Sequence, residues 1–221
     1  MNNVKLISIT QPQVEGLNSA EDLIAYCARV SNPSNQMNTT TAPRLLAYLI
    51  KHKHWSPLEM VHMTLEIKTS RAIAAQILRH RSFSFQEFSQ RYSEATNICD
   101  VELRKQGETN RQVSSEASDF LIRQEDGSSY LGLELIEMHN QRSLDLYNAL
   151  IEEGVARECA RMVLPLATET TMYMSGSIRS WVHYLELRCD EHTQKEHRII
   201  ANQCKDVFKE NLPLVAKALN F

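Results

Sequence analysis

The chain has 221 residues and reads as a single α+β domain spanning residues 1–221, on three observations. Most periodic segments repeat apolar residues at helical spacing. A few segments read as strands, the clearest of them by alternation at period two, and these lie far apart in the chain. Strands and helices do not take turns as βαβ units would. A chain of this size buries a sizeable core as one domain. Its 43% hydrophobic and 23% charged residues exclude disorder, and six glycines and six prolines exclude a linker-rich or collagen-like chain.

Val4 to Ile9 is expected as a strand. Ser19-Ala20-Glu21-Asp22 has the form of a capping box and opens a helix over 20–30. Residues 32–41 are polar, contain a proline and read as a loop. Thr41 then caps a helix that has Pro43 in its first turn and runs to about His52. The clearest strand is 60–68, where Val61, Met63, Leu65 and Ile67 alternate with His62, Thr64, Glu66 and Lys68, so one face is buried. Ser70 is expected to cap a helix to about His80, with Ile73 and Ile77 inward. Residues 82–96 read as an irregular, ordered loop, and 97–128, polar and poorly periodic, as variable structure. Ser129 to Glu153 is expected as one long helix ended by Gly154, and Val155 to Leu164 as a second, stopped by Pro165. The Thr-rich stretch 166–175 suits a strand. Ser177 to Cys189 suits a helix with Ile178, Trp181, Tyr184 and Leu185 inward. Helices over 193–212 and 213–220 complete the chain.

The formal net charge is −3, which counts against a nucleic-acid partner. Fifteen arginines stand against nine lysines, and the guanidinium fork suits phosphates and carboxylates. Cys27, Cys99, Cys159, Cys189 and Cys204 form no CxxC pair, and MNNVKLISIT has no basic start followed by an apolar stretch. Reduced, mostly buried thiols in a cytoplasmic protein are expected. No apolar run suits a membrane partner. His183, His192 and His197, with Glu196, do not share one helical face, so no metal site is expected. Phe83, Phe85 and Phe88, interleaved with Arg81 and Arg91, imitate a base-stacking surface, but packing of a loop against its own domain is the simpler reading. His52 and His62 are expected at the surface, and Met172, Tyr173 and Met174 in the core.

The chemistry concentrates at Arg79-His80-Arg81. A helix C-terminus tolerates cations, because its carbonyls carry partial negative charge. Ser84, Glu87, Ser89 and Arg91 continue the segment, and Gln76 shares a helical face with Arg79 and His80. The set suits a ligand that carries phosphate and amide-like ring edges.

The pattern Arg79-His80-Arg81-x-x-Ser84-x-x-x-x-Ser89-x-Arg91 resembles the signature of the flavin-dependent thymidylate synthases, the ThyX family. Further landmarks follow in family order: Ala28-Arg29-Val30-Ser31; YLIKHKHWSPLE over 48–59, similar to a "KHGH-x-(S/T)-P-x-E" segment; Arg161-Met162-Val163-Leu164-Pro165-Leu166; and Ser177-Ile178-Arg179-Ser180 through Leu187-Arg188, with His192 just beyond. The resemblance implies a central, mostly antiparallel sheet flanked by helices. It also implies reductive methylation of dUMP to dTMP, with FAD, NADPH as reductant and 5,10-methylenetetrahydrofolate as one-carbon donor, in a homotetramer.

By that resemblance Arg79, His80, Arg81, Ser82 and Glu87 lie at the flavin, with Ser56, Ser177, Ile178, Arg179, His183 and His192 around it. Gln76, Arg79, Glu87, Phe88, Ser89, Gln90, Arg91, Arg161 and Arg188 hold dUMP. Arg188 is the catalytic residue, near the uracil edge, where it favours the ionised ring. His54 matches a position near flavin and folate. The sequence departs from the family pattern at Gln86, Gln90 and Ser177. None of the five cysteines stands in a motif like that of the classical thymidylate synthases, and Ser89 without a general base reads as a binding residue. Two rival readings are a nucleotide-binding module without turnover and a nucleic-acid-binding domain built on Arg79, Arg81 and Arg91.

Overall fold

The period-two pattern over 60–68 places Val61, Met63, Leu65 and Ile67 at zero exposure, and strand β2 (His62–Ser70) carries most of it. The computed structural model describes residues 3–94, 97–108 and 114–221. With β1 (Val4–Ile9), β3 (Ser84–Glu87) and β8 (Glu169–Ser177), β2 forms a four-stranded sheet of order β1-β2-β8-β3. β1 runs antiparallel to β2, Val4 opposite Ile67 and Ile9 opposite Met63, with an irregularity between Leu6 and Ser8. The chain divides into two compact units. One comprises Met1–Ile67, Leu78–Gln86 and Met172–Phe221, and the other Lys68–Ile77 and Glu87–Thr171. The whole is of the α+β class with antiparallel pairing, as expected. Among the described residues no helix is long and apolar enough to cross a membrane.

Among its described residues the first unit packs five α-helices: α1 (Ala20–Ala28), α2 (Ala42–Lys51), α6 (Ile178–Arg188), α7 (Lys195–Asn211) and α8 (Pro213–Leu219). Its core includes Ile24, Leu46, Leu58, Trp181, Tyr184 and Phe208, all fully buried. The capping box is present: Ser19 Oγ accepts from the Asp22 N–H at 3.0 Å, and the Asp22 carboxylate accepts from the Ser19 N–H at 3.1 Å. Thr41 makes no cap hydrogen bond at α2. Its hydroxyl instead accepts from Arg29 at 2.8 Å. α8 begins with proline and has no cap of its own. Glu21 of α1 supplies one, since its buried carboxylate accepts the Val215 N–H at 2.8 Å. Burial raises the Glu21 pKa, and the hydrogen bonds from Val215 and Leu214 oppose that shift.

In the second unit α3 (Arg71–Ile77) starts on backbone bonds, with Arg71 N–H donating to Thr168 O at 2.9 Å and Ala72 N–H to Leu166 O at 3.0 Å. The stretch expected to be variable holds two antiparallel hairpins, β4 (Arg104–Gln106) with β5 (Ser114–Ala117) and β6 (Leu121–Arg123) with β7 (Ser129–Leu131). The long helix therefore begins later than expected, as α4 (Gly132–Glu152). The reason is turn chemistry: Gly127, with φ of +87°, follows Asp126, and Asp-Gly is a hairpin signal. Residues 155–164 break into α5 (Arg157–Ala160) and a 3-10 turn. Residues 84–87, expected in a loop, pair as β3, a period-two run too short to stand out. Parts of these loop readings, at 95–96 and 109–113, lie outside the described residues.

Two core assignments need correction. Tyr173 is 39% exposed and donates its hydroxyl to Glu66 at 2.9 Å, because alternation along β8 sends Met172 and Met174 inward and the residue between them out. Of the five thiols only Cys204 is buried, and Cys159 is exposed.

At Gly176 a Cβ would lie 2.5 Å from the Phe83 ring. That ring meets Trp181 edge to face, centroids 4.9 Å apart, and so has little room to retreat. Gly176→Ala should therefore lower stability by about 1–3 kcal/mol, the range for overpacking. Denaturant midpoints will show it, and Phe83→Leu in the same chain should recover part of the loss.

Candidate active site

The Arg79-His80-Arg81 segment leaves α3 and enters the first unit. Arg79 and Arg81 are exposed, and among the described residues neither has an ion-pair partner. His80 turns inward. Its Nε2 accepts a hydrogen bond from Arg188 Nε–H at 3.0 Å. Its ring lies edge-on to Tyr184, centroids 5.0 Å apart, and to Phe83 at 6.5 Å. The Tyr184 hydroxyl is 3.2 Å from His197 Nε2. Burial first, then the Arg188 guanidinium and His183, pull the His80 pKa down to about 4. Burial, Arg188 and His80 do the same to His197, also to about 4. Burial pushes the Tyr184 phenol well up. Both imidazoles and the phenol are thus neutral at pH 7 around one fixed cation.

α6 supplies the next set of side chains. Ser177 caps it, its Oγ accepting the Ser180 N–H at 3.3 Å, and the Ser180 hydroxyl donates to Ser82 O at 3.2 Å. Arg179 pairs with Glu59 at 2.5 Å, both largely exposed. A cleft of about 680 Å³ opens here, lined by Lys53, Trp55, Ser82, Arg179, His183 and Glu186 among others. Ile178 is buried, whereas His183 and His192 are exposed. His192 bonds Asp190 at 2.7 Å. Ser56 and His54 are exposed, with the His54 ring 6.0 Å from Tyr48. Lys53 sits at φ of +55°, a left-handed conformation, at the position where the "KHGH" segment has glycine.

The second unit carries the rest. Glu87 Oε1 accepts from Arg71 and from the Thr170 hydroxyl, each at 3.0 Å. The Phe88 N–H donates to Thr171 O at 2.9 Å while its ring stays exposed. Ser89 Oγ accepts from the Arg91 N–H at 3.4 Å, and Gln90 is buried. The Arg91 guanidinium pairs with Glu158 at 3.2 Å. Both ends of that pair are largely exposed, so the bond is weak enough for a phosphate to replace. Gln76 and Arg161 are half-buried, Arg161 in the turn after α5. Sequence reasoning assigned no role to Glu59, Arg71, Lys53, Tyr184 or His197. Glu59 stood inside a quoted landmark, but nothing in the chain order pairs Arg71 with Glu87 or Tyr184 with His197. Among the described residues no cluster of His, Cys, Asp or Glu is arranged to hold a metal ion.

These groups set exposed arginines that have no ion-pair partner among the described residues, a cleft at the start of α6 and a half-buried neutral histidine in the first unit. Residues 13–214 match the family model described as "Thymidylate synthase complementing protein". The chain is 53% identical over 220 residues, 99% of both proteins, to "Probable flavin-dependent thymidylate synthase" of Paramecium bursaria Chlorella virus 1. It is 48% identical over 223 residues, 99% of this chain and all of the other, to "Flavin-dependent thymidylate synthase" of Synechocystis sp. (strain ATCC 27184 / PCC 6803 / Kazusa). A solved structure, a UMP/dUMP methylase PolB from Streptomyces cacaoi bound with 5-Br dUMP, shares the fold with a TM-score of 0.80 and 23% identity, over 98% of this chain and 94% of that one. The chain belongs to the family of flavin-dependent thymidylate synthases.

His197 binds a proton more weakly in the folded chain than in the unfolded one, so its contribution to stability is complete above about pH 6.5 and is lost as pH falls toward 4. Wild type should lose on the order of 2 kcal/mol between pH 8 and pH 5 through this residue alone. Thermal melts of wild type and His197→Leu across that range will check it, with a flatter profile expected for the variant.

Proposed function

We propose that this protein is a flavin-dependent thymidylate synthase that methylates dUMP to dTMP reductively, with FAD, 5,10-methylenetetrahydrofolate as one-carbon donor and NADPH as reductant. The observation that carries the reading is the pair Arg79 and Arg81, exposed cations of the family signature that have no carboxylate partner among the described residues. A guanidinium in that state suits a phosphate or pyrophosphate. The whole chain acts as one catalytic domain, in a cytoplasmic homotetramer.

The residues present fit a flavin dinucleotide. The cleft on the first unit offers a cation at Arg179, an amphipathic wall at Trp55 and the capped N-terminus of α6. FAD is held by Arg79, His80, Arg81, Ser82, Glu87, Ser56, Ser177, Ile178, Arg179, His183 and His192. Gln76, Phe88, Ser89, Gln90, Arg91, Arg161 and Arg188, with Arg79 and Glu87, bind dUMP. Bound flavin supplies the hydride. Arg188 stabilises negative charge on the uracil ring, which makes the ring carbon a better nucleophile toward the one-carbon donor.

The thiol environments support a reaction without a cysteine nucleophile. Burial pushes the thiols of Cys27, Cys99, Cys189 and Cys204 up, the reverse of what activates a thiolate. Replacing all five cysteines by Ser or Ala should leave dTMP formation per folded protein within about tenfold of wild type. A single Cys→Ser variant that folds and binds both ligands yet makes no dTMP would contradict the reading.

The deciding experiment is anaerobic reduction by NADPH of the purified protein's flavin absorbance, with and without dUMP, followed by a dTMP assay. Arg188→Ala should keep its flavin and lower turnover by about 10²-fold or more. Loss of flavin with normal turnover per bound flavin would make Arg188 a structural residue. Salt-dependent oligonucleotide binding without flavin absorbance would favour a nucleic-acid protein.

A further inference from the structure

The structure assigns His80 as the positioning residue of Arg188: a neutral imidazole whose Nε2 accepts the guanidinium Nε–H and so leaves both terminal amino groups of Arg188 for the ligand. The assignment rests on the reading of Arg188 as the residue at the uracil edge, and it gives a member of the signature segment a task other than cofactor contact.

Geometry carries it. The hydrogen bond from Arg188 Nε to His80 Nε2 is 3.0 Å. A guanidinium is a rigid planar fork, so one anchored N–H orients the whole group. Among the described residues Arg188 has no carboxylate within ion-pair distance, which leaves its charge available to a ligand. A carboxylate in place of His80 would have neutralised that charge; a neutral imidazole orients it without doing so.

The acceptor role dictates the tautomer. With Nε2 accepting, the proton of the neutral ring is on Nδ1. A protonated His80 would put two cations face to face and lose the acceptor. The groups around the ring all oppose protonation. Arg188 and His183 of α6 are cationic and titratable neighbours, His197 of α7 lies with its ring centroid 6.4 Å away, and Phe83 and Tyr184 close two sides edge-on. Tyr184 is itself fully buried and bonded to His197. The imidazole is therefore held in a packed slot, and its position sets that of the guanidinium.

Two measurements test this. Nitrogen-15 NMR of histidine-labelled holoprotein should show His80 as the neutral Nδ1–H tautomer at pH 6; an Nε2–H tautomer or an imidazolium would overturn the assignment, whether or not the protein makes dTMP. The second is a double-mutant cycle read as turnover per bound flavin and KM for dUMP, in variants confirmed folded by circular dichroism. His80→Leu should lower kcat per bound flavin by about 10- to 100-fold, whereas His80→Gln, whose amide oxygen can accept the same N–H, should lose at least about threefold less than His80→Leu. In an Arg188→Lys background the planar fork is gone, and His80→Leu should cost less than about threefold more. Equal losses in both backgrounds, or flavin loss with unchanged turnover in the flavin-loaded fraction, would show that His80 does not act through Arg188. A wild-type protein that makes no dTMP would defeat the proposed function, and the tautomer would still decide this inference.

Discussion

Edge-to-face packing of Phe83 with Trp181 and Tyr184 over Gly176 is the constraint on which the first unit depends. Phe83 follows the Arg79-His80-Arg81 segment by two residues. Its ring needs the space that a side chain at 176 would fill. Trp181 satisfies its indole N–H on Met63 O at 2.9 Å, which ties α6 to β2. Tyr184, one helical turn on, presents its ring to His80. The aromatic cluster therefore fixes three things together: the loop of the signature, the buried face of the sheet and the helix that carries Arg179 and Arg188. A chain segment rich in cations has no ion pair of its own among the described residues, and the apolar rings next to it hold it in place.

Charge is distributed accordingly. The net charge is small and negative, yet Arg79 and Arg81 stand exposed without partners among the described residues, while Arg91 and Arg179 rest in exposed ion pairs. Exposed pairs contribute little to stability and exchange readily. Glu87 is held more firmly, by Arg71 and Thr170, with both partners on the same carboxylate oxygen. The arrangement separates exposed cations without an ion-pair partner among the described residues from cations paired with exposed carboxylates.

The elements carrying a strong local pattern were legible in the chain order. β1, β2 and the α1 capping box are where periodicity and cap chemistry placed them, because each is decided by residues within a turn or a strand of one another. Helices α6 and α7 differ by a residue or two at their ends. Short elements were not legible: β3 has four residues, and the β6–β7 hairpin was hidden inside a polar stretch whose one signal was Asp126-Gly127. Tyr173 went wrong because its neighbours on both sides are core methionines and only the period of the strand separates it from them.

The sequence by itself determined the family signature, the residue types able to hold phosphate, the absence of a CxxC pair, and the faces of β2 and α6. Those follow from composition and spacing, which are local properties. Only the tertiary structure decided which distant residues meet: Glu21 on the uncapped start of α8, Glu59 on Arg179, His197 on Tyr184, and His80 on Arg188, 108 residues apart in the chain. No periodicity encodes such pairs. They arise where the fold brings distant segments together, and for the buried pairs packing also removes water and leaves one particular partner within reach.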